Sequence, residues 1–321
     1  VGGVAGTVES SEYVIRVEMA VDSAVQALKK EADHRANVSE DYLKGWLAEQ
    51  WHAETLKASG WARGRSDIRA IVQGDCRPGE DVLYGISNKL KRSEFKYYKS
   101  GNDTARAISR PEYEGCTKII PSDQKDSVVS TAEKMALKNQ ESRPAQAAQY
   151  KDTSLYADDH LRVDNAKSQP LDEADAKQMA KDFKRDGNID PDKYRLNSES
   201  FIEWPDIARQ SGKAALHAAA LSAALTAAPH IWKTINDYIE SGEINVEMLA
   251  DGGQAVLFTA TTAGLRGGVA AGLTAACKSG LFGGMLKGIS PSAIGMATTM
   301  TLNAIEYSIK LQQGKITRQE F

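Results

Sequence analysis

The chain has 321 residues and an almost balanced charge, with 40 lysines and arginines against 43 aspartates and glutamates. This balance argues against a passive DNA-binding protein that depends on an overall basic surface, but it leaves room for an enzyme with a local basic groove. The three cysteines are widely spaced and the five histidines show no metal-ligand spacing, so neither a disulfide framework nor a zinc site is predicted. We expect a cytoplasmic protein without a secretory signal, built as one large or two medium domains.

Two helices are predicted at the start of the chain. Apolar residues recur at helical spacing from position 12 to about 36. A second helix is predicted from 40 to about 57, because Ser39 is a good N-cap and Gly60 follows as a stop signal.

The second helix carries a glutamate within a mainly apolar stripe. The members of the stripe step by three or four residues and are Tyr42, Trp46, Glu49, Ala53 and Leu56. A buried carboxylate is costly unless something satisfies it, and a metal ion would do so. We therefore expect Glu49 close to a metal, with Glu54 as a second candidate. The alternative is that Glu49 lies at the edge of the stripe and is solvated.

The most informative pattern lies between positions 81 and 96. Asp81 opens a short apolar run, and twelve residues separate it from Glu94, Phe95 and Lys96. Alternate residues of a strand face the same side, so Glu94 and Lys96 should point one way and Phe95 into a core. A hairpin through 87–89 would bring Asp81 beside Glu94. Paired carboxylates suit Mg²⁺, and a neighbouring lysine could act on the attacking water of phosphodiester hydrolysis.

This arrangement of an aspartate, a gap and Glu-x-Lys resembles the core signature of the restriction-endonuclease-like, or PD-(D/E)xK, nucleases. The superfamily often carries Gly-x-x-x-Glu in its first core helix, and Gly45 and Glu49 are similar to it. The predicted elements also follow the αβββαβ order that the resemblance implies. They are helix 40–57, strands 68–72, 81–86 and 92–99, helix 104–109 and strand 117–121.

The resemblance implies a metal-dependent DNA endonuclease, such as a component of bacterial defence or of a mobile element. Asp81, Glu94 and Glu49 would bind Mg²⁺ or Mn²⁺, and Lys96 would act on the nucleophile. Five nearby residues could contact DNA, namely Lys89, Lys91, Arg92, Tyr98 and Lys99. The alternative is that Glu94 and Lys96 form an ion pair on a solvated sheet face and that the domain is inactive.

The expected architecture is α+β in the N-terminal part and all-α at the C-terminal end. Residues 12–125 should form the nuclease-like domain, 126–200 a charged helical connector, and 201–321 a helical region rich in alanine and glycine.

The C-terminal region suggests a second function. Small residues recur there every four positions, as at Gly264, Gly268 and Gly272, and this spacing lets helices approach closely. A homo-oligomer or a membrane-active interaction protein would use such helices. Arg266 and Lys287 oppose ordinary membrane spans, because a charge at the bilayer centre costs about 2.5–3.5 kcal/mol. A tightly packed soluble bundle and a membrane-contacting region both stay open.

Overall fold

The computed structural model describes residues 2–74, 77–202 and 314–317, with single positions at 277, 303, 307 and 310. The chain divides into two compact units, one of residues 17–201 and one of residues 1–16 with 202–321. The first unit is mixed α/β, as expected. The predicted all-α region, with its glycine repeats, lies outside the described residues. Within the part of the chain that is described, no helix is both long and apolar enough to cross a bilayer.

The described helices are α1 (Gly2–His34), α2 (Glu40–Ala62), α3 (Gly101–Ile108), α4 (Lys125–Asn139), α5 (Pro144–Tyr156) and α6 (Glu173–Asp186). The described strands are β1 (Ile68–Val72), β2 (Val82–Ile86), β3 (Lys89–Phe95), β4 (Thr117–Ile119), β5 (Ala157–Asp158), β6 (Arg162–Val163) and β7 (Ala166–Lys167). The elements from α2 to β4 therefore follow one another in the order that the sequence predicts.

Five strands form one sheet in the order β1-β2-β3-β4-β5. The first three are antiparallel neighbours, whereas β3, β4 and β5 run parallel. A two-residue turn at 87–88 joins β2 to β3, and Val82 pairs with Ser93. The turn needs glycine nearby, because a Cβ on Gly85 would lie 2.1 Å from the Lys89 carbonyl oxygen. This register places the residue before β2 beside the C-terminal end of β3.

Helices cover both faces of the sheet. On one face, the ring of Phe95 lies 5.5 Å from that of His52 in α2. On the other, the fully buried Lys118 of β4 pairs with Asp152 of α5. Lys118 pairs in register with Glu94, the residue before Phe95. Because neighbouring residues of a strand point to opposite faces, α2 and α5 lie on opposite sides of the sheet.

Residues 126–200 are not the separate connector that their charge predicts. They belong to the same compact unit as the sheet. β5 extends the sheet beside β4, and α6 packs on α2, where Lys44 pairs with Glu173. A narrow stripe that includes Met179 and Phe183 is buried on α6, and most of its charged residues lie outside this stripe, although Asp182 is buried. The segment is highly charged, but it contains an amphipathic helix that completes the core.

A buried histidine ties α2 to the sheet and to the loop after β7. The His52 Nδ1 atom lies 2.7 Å from the Ser168 hydroxyl, and its Nε2 atom lies 2.9 Å from the Tyr97 hydroxyl. Burial, together with the nearby His160, lowers the pKa of His52 to about 3. The imidazole is therefore neutral wherever the protein is folded at ordinary pH.

We expect His52 to make the fold sensitive to acid. The unfolded chain takes up a proton at this histidine below about pH 6.5 and the folded chain does not, so the free energy of unfolding falls as the pH drops. One proton corresponds to about 1.4 kcal/mol per pH unit. Urea unfolding between pH 6.5 and 5 should show that His52→Gln removes this slope. The exposed His34→Gln should keep it, and equal slopes in the two variants would contradict the assignment.

Candidate active site

The hairpin brings two of the candidate carboxylates together. Asp81 directly precedes β2, and Glu94 lies near the end of β3. Asp81 Oδ2 accepts a hydrogen bond from the Phe95 backbone N–H at 2.8 Å. The Asp81 and Glu94 carboxyl groups also lie close enough that, besides burial, the charge of Glu94 raises the pKa of Asp81. The pairing register thus brings Asp81 and Glu94, which are 13 positions apart in the sequence, next to each other.

Both oxygens of the Glu94 carboxylate have partners. Glu94 is only 2% exposed, and its Oε2 accepts a hydrogen bond from the Gly79 backbone N–H at 2.7 Å. Its Oε1 accepts a hydrogen bond from Lys96 Nζ. Gly79 has a φ of 77°, which favours glycine because a side chain there is strained. The loop before β2 therefore holds Glu94 on one side and Lys96 holds it on the other.

Lys96 follows directly after β3, on the same side as Glu94. Its Nζ also donates to the Phe95 carbonyl at 3.0 Å and lies 5.1 Å from the ring centroid of Tyr113. Burial favours the neutral amine, but attraction from Glu94 and Asp81 outweighs burial and raises the pKa of Lys96 above its ordinary value. The side chain is therefore an ammonium group at neutral pH, able to donate hydrogen bonds but not to accept a proton.

Helix α2 adds a third carboxylate. Glu49 is 8% exposed, so the alternative that it is solvated does not hold. Its Oε2 is buried and has no hydrogen-bond partner among the described residues. Glu54 is equally buried, but its carboxylate lies 2.7 Å from both Lys57 and Gln50. Of the two glutamates that the sequence left as candidates, only Glu49 has a buried oxygen left over.

Two of the three carboxylates, those of Glu49 and Asp81, have a raised pKa. Burial and the charge of Asp81 raise the pKa of Glu49 well above its ordinary value, although Lys96 opposes them. Burial and the charge of Glu94 raise the pKa of Asp81 to about 6. Fully ionised, the group carries three negative charges against one ammonium. A divalent cation would balance that excess.

The five candidate DNA contacts lie at different distances from this group. Lys89 begins β3, five positions before Glu94, which corresponds to roughly 17 Å along a strand. Lys91 and Arg92 are exposed on the same strand, and Tyr98 and Lys99 are exposed just after it. Arg92 alternates with Glu94 on one face of the sheet. Of the five, Arg92 is therefore the residue placed two positions from Glu94 and on the same face of the strand.

Sequence reasoning missed two residues of the site. Gly79 contributes only a backbone N–H. The sequence could have indicated it only as a glycine that lies two positions before Asp81. Tyr113 reaches Lys96 and Glu94 from a 3₁₀ turn at Pro111–Tyr113, beyond α3. No local pattern indicates Tyr113, because its place depends on how the chain returns to the sheet.

A second group of potential ligands lies at the end of β5. This group consists of Asp158, Asp159 and His160. Within the described ranges, no other set of three histidine, cysteine, aspartate or glutamate residues has ligand atoms that all lie within 4.8 Å of one another. The Lys125 ammonium lies 2.7 Å from both aspartates, and Arg162 also pairs with Asp158. Protein cations therefore already neutralise this cluster. The Glu49 group is more widely spaced, with Lys96 placed among its charges.

Comparisons with known proteins add no relative to this chain: no family model, curated protein or solved structure matches it.

Proposed function

We propose that the chain is a metal-dependent DNA endonuclease of the PD-(D/E)xK type, with its active site at Asp81, Glu94, Lys96 and Glu49. The observation that carries the proposal is the buried, unpartnered Glu49 oxygen in the field of two further carboxylates. Buried negative charge of this kind is costly unless a cation compensates it. The order of elements from α2 to β4, with antiparallel β1-β2-β3 and parallel β3-β4, supports a restriction-endonuclease-like core.

The donor set suits a hard divalent cation. Carboxylate oxygens are the ligands that Mg²⁺ and Mn²⁺ prefer, and the described part of the site contains no cysteine or histidine ligand. Asp81 and Glu94 would hold the ion directly, and Glu49 directly or through a water molecule. When bound, such an ion supplies polarisation of the phosphate and a water molecule of lowered pKa.

The proposed reaction is hydrolysis of a phosphodiester. The water oxygen forms a bond to phosphorus and the bond from phosphorus to the leaving sugar oxygen breaks. The water gives up a proton to solvent, and the leaving oxygen takes a proton from solvent. Lys96, held as an ammonium group, stabilises the negative charge that builds on the phosphate and orients the attacking water. Arg92, Tyr98 and Lys99 would contact the neighbouring phosphates, with Lys89 and Lys91 farther along the duplex.

The test is a cleavage assay on plasmid and linear duplex DNA with Mg²⁺ or Mn²⁺, paired with calorimetric titration of Mn²⁺ in the absence of DNA. We expect cleavage that chelation abolishes and one Mn²⁺ site that Asp81→Asn weakens. The same preparation of Asp81→Asn should not cut, which controls for a contaminating nuclease. Absence of cleavage by the intact chain would overturn the nuclease function, and absence of Mn²⁺ binding would overturn the metal site.

A further inference from the structure

Tyr113 forms one wall of the site around Lys96. Its ring centroid lies 5.1 Å from Lys96 Nζ, within the range of a cation–π interaction. The residue is only 7% exposed, and burial together with the charge of Glu94 raises the pKa of its hydroxyl. Tyr113 therefore lies beside both members of the Glu-x-Lys pair, although it lies beyond α3 in the chain.

The core holds Tyr113 in this place. Its carbonyl oxygen accepts hydrogen bonds from Lys118 Nζ at 2.8 Å and from the Cys116 thiol at 3.1 Å. Lys118 is fully buried and also pairs with Asp152 of α5. The backbone of Tyr113 is thus anchored to the sheet and, through Lys118, to a helix behind it.

Both oxygens of Glu94 are already engaged by protein groups. The Lys96 ammonium group bonds Glu94 Oε1, while the Gly79 N–H bonds Oε2. A cation held by Oε1 would compete with the ammonium group for that oxygen. Two existing partners of the ammonium group then stay beside it, namely the Phe95 carbonyl at 3.0 Å and the Tyr113 ring.

We propose that Tyr113 is a positioning residue, whose ring keeps the Lys96 ammonium group beside the reacting phosphate once a metal ion has taken its place on Glu94. This inference depends on the proposed nuclease function. A desolvated cation–π contact corresponds to a factor of about 5 to 30 in an equilibrium or a rate. The hydroxyl is not required for this role, so phenylalanine should serve in its place.

The test compares Tyr113→Leu with Tyr113→Phe in cleavage assays at saturating Mn²⁺. We expect Tyr113→Leu to lower kcat by about 5- to 30-fold, with KM and Mn²⁺ affinity within about twofold of the unmodified protein. Tyr113→Phe should retain kcat within about threefold. Full activity of Tyr113→Leu, an equal loss in both variants, or a loss of Mn²⁺ affinity that parallels the loss of kcat would each overturn the inference.

A measurement on the unmodified protein separates this inference from the proposed function. With Mg²⁺ bound, the methylene protons at the end of the Lys96 side chain should show an upfield NMR shift from the Tyr113 ring, and the shift should persist in Tyr113→Phe. Mg²⁺ binding with that shift but without cleavage would overturn the nuclease function alone. Mg²⁺ binding without the shift would overturn the placement of Lys96 against the ring, whatever the variants do.

Discussion

Lys96→Ala is expected to lower the rate of metal-dependent DNA cleavage by about 100- to 1,000-fold, the usual cost of removing one group that stabilises charge in a transition state. The structure supports an effect of this size because the Lys96 ammonium group lies among the carboxylates. It donates hydrogen bonds to Glu94 and to the Phe95 carbonyl. The loss should appear in single-turnover cleavage of a linear duplex at saturating Mn²⁺.

Metal binding provides the internal control for Lys96→Ala. Because the ammonium group bonds Glu94 Oε1, removing it should leave Mn²⁺ affinity unchanged or higher. The matched surface variant is Lys138→Ala, which removes an exposed lysine of α4 and should cut at the original rate. Cleavage by Lys96→Ala at the original rate, with metal bound, would show that the lysine takes no part in the chemistry.

Glu49→Gln is expected to weaken Mn²⁺ binding by about 10- to 100-fold, the range found when a group that supports a metal site is lost. The same change should stabilise the protein without added metal at pH 8 by about 1–3 kcal/mol, because a neutral amide replaces a buried carboxyl with one unpartnered oxygen. Stability and metal affinity would thus change in opposite directions.

The stability advantage of Glu49→Gln should grow as the pH rises. The pKa of Glu49 is raised in the folded protein, so above about pH 4.5 the unfolded chain releases a proton that the folded chain keeps. The contribution of Glu49 to stability therefore falls as the pH rises. Urea unfolding without metal should show the advantage of Glu49→Gln shrinking from pH 8 toward pH 4.5, where both states are protonated.

Glu54→Gln is the matched comparison. Glu54 lies on the same helix and is equally buried, but Lys57 and Gln50 satisfy its carboxylate. We expect this variant to lose about 1 kcal/mol of stability and to keep its Mn²⁺ affinity within about twofold. If Glu54→Gln weakened metal binding as much as Glu49→Gln does, the metal site would not be defined by the unpartnered oxygen.

Metal binding itself should strengthen with pH. A cation binds the ionised carboxylates, and the pKa of Asp81 is raised to about 6 while that of Glu49 is also raised. Bound protons therefore compete with the metal at and below pH 6, and cleavage should rise between pH 6 and 8 as that competition weakens.

The sequence alone determined the order of helices and strands from α2 to β4 and the pairing of Asp81 with Glu94. Both rest on local physics: helical and strand periodicity, an N-cap at Ser39, and a short hairpin whose register follows from its turn. These signals lie within a few residues of the elements they define, so no distant contact was needed to find them.

Only the tertiary structure decided which residues complete the site. Glu49 and Glu54 look alike in the sequence, and the choice between them depends on whether a partner reaches each carboxylate from its surroundings. Tyr113 is placed by the buried Lys118, which no periodicity marks as a core residue. Likewise, β5 is two residues long and is a strand only because β4 lies beside it. These features arise from contacts between distant parts of the chain, where burial and pairing outweigh local preference.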